Sequence, residues 1–141
     1  LLDLAYDNYF WHELVPRCLA RARGHAEADA RAEVLERYAA VRGRLEWYCI
    51  DYWEAELGLD LRALKAASSH RVRYLPGAQA FLGAVRARGR RVVLVTNAHQ
   101  YTLHVKRGVA GLDRYLDHFV SSHDVGVPKE HPEFWTRLER T

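Results

Sequence analysis

Val92-Val93-Leu94-Val95-Thr96-Asn97, an apolar run of four that ends in two polar residues, lies between two segments of helical periodicity. A short apolar run bounded by Arg91 and Thr96 reads as a strand buried on both faces, the pattern of a parallel sheet covered by helices. The helix before it opens at Leu75-Pro76-Gly77, carries Ala78, Phe81, Leu82 and Val85 on one face, and closes at Gly89. Another helix runs from about Tyr101 to Val109. Gly111 leads to a second short strand near His118-Phe119-Val120, a loop from Ser121 to Lys129, and a helix opened by Pro132. Helix and strand alternating in this order make an α/β layer.

The first seventy residues carry no strand signal and read as a helical bundle. Phe10, Leu14 and Cys18 repeat every four residues, with Trp11, Val15 and Leu19 alongside, and Pro16 interrupts or kinks that stripe before Gly24 ends it. Val34, Tyr38, Val41 and Leu45 give one face of a helix from Glu27 to about Leu45. Trp47, Ile50, Trp53 and Leu57 keep the same spacing. Gly58 fits the left-handed position after that helix, and Asp60 is placed to cap a short fourth one through Leu61 and Leu64.

Composition excludes several classes of function. The formal charge is +3, and eighteen of the twenty-one Lys and Arg residues are arginines scattered among alanines, with no basic block to mark a nucleic-acid arm. DNA and RNA are therefore not expected partners, although a mild positive field favours small anions. Cys18 and Cys49 lie in apolar helical patterns without metal-ligand spacing and are expected to be buried thiols. No apolar run approaches a membrane span, and a cytoplasmic location is the default expectation.

The stretch Tyr74-Leu75-Pro76-Gly77, Phe81-Leu82, Gly89 and Val92 to Asn97 resembles the second motif region of haloacid-dehalogenase-superfamily (HAD) phosphatases. Ser121 to Lys129 resembles the Gly-containing loop that carries their third motif, a lysine, with the difference that Pro128 precedes Lys129 here and Glu130 follows it. Leu1-Leu2-Asp3 is similar to the continuation of the first motif, DxDGT. More narrowly, Leu2 to Trp11, Trp47 to Trp53 and Pro128-Lys129-Glu130 resemble bacterial GMP/IMP nucleotidases of this superfamily.

The resemblance implies a partial Rossmann-like parallel-sheet core with an inserted α-helical cap. Residues 1–3 would end the first catalytic loop, 4–72 form the cap and 73–141 the partial core. Thr96 and Lys129 would hold the phosphate of a small phosphorylated metabolite, a purine nucleotide by the closer likeness. Asn97 would join them at the phosphate. The nucleophilic Asp, its general acid/base partner and the Mg²⁺ ligands would lie outside these 141 residues, upstream of Leu1 and downstream of Thr141, leaving this chain alone inactive.

A cap that recognises a purine needs polar and aromatic groups, and Asp7, Asn8, Tyr48 and Asp51 are the candidates for substrate contact. Trp11, Trp47, Tyr52 and Trp53 read mainly as cap core. His99, His123 and Asp124 flank the phosphate motifs, but their spacing suits a metal poorly, so no metal ligand is expected among them. Two other readings fit the residues. One keeps the phosphatase and replaces the nucleotide with a sugar phosphate or another phosphometabolite; the other makes the helical half a non-catalytic interaction module.

Overall fold

The computed structural model describes residues 1–140 and divides them into a helical unit and an α/β unit. The helical unit begins with α1 (Ala5–Tyr9), passes through a π-helical turn at Phe10–Leu14 and continues as α2 (Val15–Arg23). The wider turn sits just before Pro16, where the missing N–H and the ring would disturb a regular α-helix. Gly24, at φ 67°, ends α2 in the left-handed conformation its sequence position suggests.

Helix α3 covers Glu27–Ala40, shorter than the periodicity implies. Gly43, at φ 79°, turns the chain, and a 3₁₀ turn at Leu45–Tyr48 precedes an extended Cys49. The segment from Trp47 to Leu57 is therefore not one helix, since α4 spans Ile50–Leu57. The break is held by the Trp53 indole, whose Nε1 donates to the Trp47 carbonyl at 3.1 Å. Asp60 caps α5 (Leu61–Ala67) by accepting the Ala63 N–H at 2.8 Å.

Phe10, Val15, Leu19, Val34, Ile50, Trp53, Leu57 and Leu61 form the core of this unit. Edge-to-face contact between Tyr38 and Trp53, with ring centroids 4.8 Å apart, joins α3 to α4.

In the α/β unit, α6 (Ala78–Ala87) leads to β1 (Val93–Thr96), α7 (Gln100–Ala110), β2 (His118–Ser121), α8 (Ser122–Val125) and α9 (Pro132–Leu138). The two strands pair in parallel, Val93 opposite His118 and Thr96 opposite Ser121. The strand starts one residue late because Val92 is tied instead to Asp117: its N–H donates to the carboxylate at 2.7 Å and its carbonyl accepts the Asp117 N–H at 2.8 Å.

Burial departs from the sequence expectation at four places. Val93 is 48% exposed, because only two strands pair among the described residues and the sheet is not enclosed on both faces. Phe81 is 66% exposed, whereas Leu82 is buried with Leu112 and Leu116 in a small core. Cys18 and Cys49 are half-buried rather than enclosed. Among the described residues no helix is long and apolar enough to cross a membrane.

The two units are joined where the chain enters and leaves the helices. Leu2 and Tyr74 form an antiparallel bridge, with the Asp3 N–H donating to the Arg73 carbonyl at 2.8 Å and the Leu75 N–H to the Leu1 carbonyl at 3.0 Å. Asp3 also accepts the Ala5 N–H at 2.8 Å, which starts α1. Farther along, the Tyr101 hydroxyl donates to the Arg62 carbonyl at 3.1 Å and docks α7 on α5.

Candidate active site

Parallel strands present their carboxyl ends to one side, and in open α/β sheets ligands bind there. Thr96 ends β1 and Ser121 ends β2, side by side. The backbone beyond them is fixed by short-range polar bonds. Ser121 Oγ donates to the Ala98 carbonyl at 2.7 Å, and Thr96 Oγ1 accepts the Ala98 N–H at 3.1 Å. That bond uses a lone pair of the threonine oxygen and leaves its O–H to be donated. Ser121 and Asp124 close a reciprocal capping box on α8, and Gln100 donates to the other Asp124 oxygen at 2.8 Å.

Asn97 is buried and both ends of its amide are engaged. Its Oδ1 accepts the Lys129 backbone N–H at 2.8 Å and its Nδ2 donates to the Glu130 carboxylate at 2.9 and 2.6 Å. The side chain expected at the phosphate thus clamps the loop that carries Lys129.

Above this frame lies a cleft of about 600 Å³ between the two units. Thr96, Asn97, Lys129, Asp7, Asn8 and Tyr48 all border it. A smaller cavity of about 270 Å³ adjoins it and shares Asp7, Thr96, Lys106 and Lys129. Trp11, Tyr38, Trp47 and Trp53 supply the aromatic wall on the helical side. Asp51 does not border the cleft: its side chain is exposed, ion-paired with Arg62, and 3.5 Å from His99 Nε2. The Tyr48 phenol is held above its ordinary pKa, chiefly by burial and then by the Glu130 carboxylate.

Two lysines that sequence spacing does not single out also reach the cleft. Lys65 is 1% exposed, with its ammonium 4.1 Å from the Phe10 ring centroid and 4.7 Å from that of Tyr6. It pairs with Asp7 at 3.2 Å, and Lys106 pairs with the other Asp7 oxygen at 2.5 Å. Asp7 is therefore the counter-ion of two ammonium groups. Burial pushes the Lys65 pKa down to about 8, with Asp7 opposing the shift and Lys106 adding to it. The helical position of Lys65, four residues after Leu61 on the buried face, was the available signal.

Magnesium, which the family likeness implies, takes oxygen ligands in near-octahedral geometry. The carboxylates bordering the cleft are Asp7 and Glu130, and Asp3 borders the adjoining cavity. Asp7 is ion-paired with two lysines, both Glu130 oxygens accept from the Asn97 amide, and Asp3 accepts the Ala5 N–H. No set of the described residues fits that ion.

The sequence and the fold have counterparts among known proteins. A family model of haloacid dehalogenase-like hydrolases matches residues 7–141. GMP/IMP nucleotidases YrfG of Escherichia coli (strain K12) and Shigella flexneri are each 41% identical over 135 residues, 96% of this chain and 61% of theirs. The chain thus spans about three-fifths of the length of the curated relatives it matches. The crystal structure of a HAD phosphatase from Thermococcus onnurineus has the same fold, with a TM-score of 0.81 at 22% identity, over 99% of this chain and 67% of that one. A family match over nearly the full chain, a relative of 41% identity and the shared fold agree: the chain belongs to the haloacid dehalogenase-like hydrolase family.

Proposed function

We propose that these residues form the cap and part of the core of a phosphatase for small phosphomonoesters, with purine 5′-nucleotides such as GMP and IMP as its substrates. The observation that carries the reading is that Thr96 and Lys129, from separate segments, border one cleft under an aromatic wall. The nucleotidases named above support the substrate class through their 41% identity.

On this reading the phosphate sits at the carboxyl end of β1. The Thr96 hydroxyl donates to a phosphate oxygen, and the Lys129 ammonium supplies one positive charge to the oxygens on which charge accumulates. Asn97 positions Lys129 through its backbone rather than touching the substrate. The helical residues 4–72 act as the cap, which screens the reacting phosphate from water, and Tyr48, Trp11 and Asn8 face the base. An aspartyl nucleophile and any Mg²⁺ ligands would belong to the two-fifths of the relatives' length that this chain does not span.

A substrate panel on the full-length protein tests this. Purine 5′-monophosphates should give the highest kcat/KM, and Lys129→Ala should reduce it by ~10²-fold or more. Preference for a sugar phosphate would replace the substrate assignment while keeping the phosphatase. Absence of phosphate release from every ester would overturn both.

A further inference from the structure

Cys49 and His123 meet His99, which borders the cleft, and the phosphatase reading gives none of the three a task. Their ligand atoms, Sγ and a nitrogen of each ring, all lie within 4.8 Å of one another. The two imidazoles stand edge to face with centroids 4.8 Å apart. His123 Nε2 is shut off from solvent and has no hydrogen-bond partner among the described residues. A buried ring nitrogen without a partner is rare enough to need a cause.

We propose that Cys49, His99 and His123 bind a borderline-soft divalent transition ion, of which Zn²⁺ is the type, leaving a fourth position open to water. One thiolate and two imidazoles select such an ion against Mg²⁺ or Ca²⁺, which take oxygens. Metal bonds of about 2.3 Å to sulfur and 2.0 Å to nitrogen require the three atoms to stand roughly 3.5 Å apart. Separations of up to 4.8 Å are within what side-chain rotation can close.

Each histidine already has an outer contact able to orient it. His123 Nδ1 lies 3.4 Å from Ser121 Oγ, so Nε2 is the free ligand. For His99, Nδ1 accepts the Tyr101 N–H at 3.3 Å and Nε2 stands 3.5 Å from Asp51. Coordination replaces one of these contacts and leaves the other to hold the ring. The Cys49 thiol loses its proton to solvent as the Zn–S bond forms.

The placement has a mechanical consequence. Cys49 lies in the extended link before α4, in the helical unit, whereas His99 caps α7 and His123 lies in α8, both in the α/β unit. An ion held by all three ties the two units together beside the Thr96–Ala98 turn. The site is separate from phosphate binding and does not depend on the substrate assignment.

Co²⁺ titration of the chelator-treated full-length protein tests the proposal. One equivalent should bind with a thiolate-to-cobalt charge-transfer band, be displaced by Zn²⁺, and raise the unfolding midpoint. Cys49→Ser should abolish the band and weaken binding at least tenfold, His123→Ala should weaken it comparably, and Cys18→Ser should change neither. No thiolate band in the unmutated protein, or a band that survives Cys49→Ser, overturns the site. The unmutated spectrum decides by itself should a variant fail to fold.

Discussion

The side-chain oxygen of Asn97 accepts the backbone N–H of Lys129 at 2.8 Å, across thirty-two positions of sequence. One buried amide thereby fixes the distance between the β1 end and the lysine loop. Asn97→Ala leaves the Lys129 N–H and the Glu130 carboxylate without this partner. The expected outcome is a loss of ~1–3 kcal/mol in stability by denaturant titration and a ~10²-fold fall in kcat/KM, from a misplaced ammonium rather than a missing one. Wild-type kinetics in Asn97→Ala would show that Lys129 needs no such positioning.

Thr96 is assigned through its hydroxyl, so replacement by the near-isosteric valine separates shape from donation. Thr96→Val should lower kcat by ~10²–10³-fold, while Thr96→Ser, which retains the O–H and the oxygen that accepts the Ala98 N–H, should stay within about tenfold of wild type. Equal losses in the two variants would place the effect in packing.

Lys65 gives a pH signature. Burial lowers its folded pKa to about 8, from an ordinary value of 10.5. Between these values the unfolded chain binds more protons than the folded one, so this group's contribution to stability rises with pH from about 8 to 10, by ~2 kcal/mol, and is at its least favourable below 8. Above pH 10 the buried tyrosines oppose it, since burial holds Tyr6 up at about 12 and raises Tyr38 further. Urea unfolding of the wild type and of Lys65→Met across pH 7.5–10 should show a rise in the first that the second lacks.

Trp53 joins α4 to the rest of the helical core and is 1% exposed. Its indole N–H is also spent on the Trp47 carbonyl. Trp53→Ala should cost ~3–5 kcal/mol, read as a lowered thermal midpoint, with Trp53→Phe recovering most of the packing but not the bond.

Much of this layout is legible in the residues because local grammar and burial agree. Gly24, Gly58 and Asp60 end or start helices where the structure has them, and the Val92–Val95 run marks β1 to within one residue. Spacing fails where a tertiary bond competes with it. The Trp53 indole breaks the helix suggested by Trp47 and Ile50, and Asp117 takes Val92 out of the strand. The site divides similarly. Thr96, Asn97 and Lys129 are marked by motif and order, whereas Lys65 is marked only by its helical register after Leu61, and its meeting with Lys106 at Asp7 spans fifty-eight and ninety-nine positions. A count of ligand spacing passes over Cys49, His99 and His123 for the same reason, because their proximity depends on docking of the two units.

The bridge between Leu2 and Tyr74 makes residues 4–72 a single excursion that leaves and returns at one point of the α/β unit. The entropy of closing such an excursion grows only with the logarithm of its length, so doubling it costs about 0.6 kcal/mol. Helices could be added to or removed from this excursion at little thermodynamic penalty to the strands beneath, provided the bridge at its neck is kept. The helical wall of the cleft could then be remodelled while the Thr96–Ala98 turn after β1 stayed as it is.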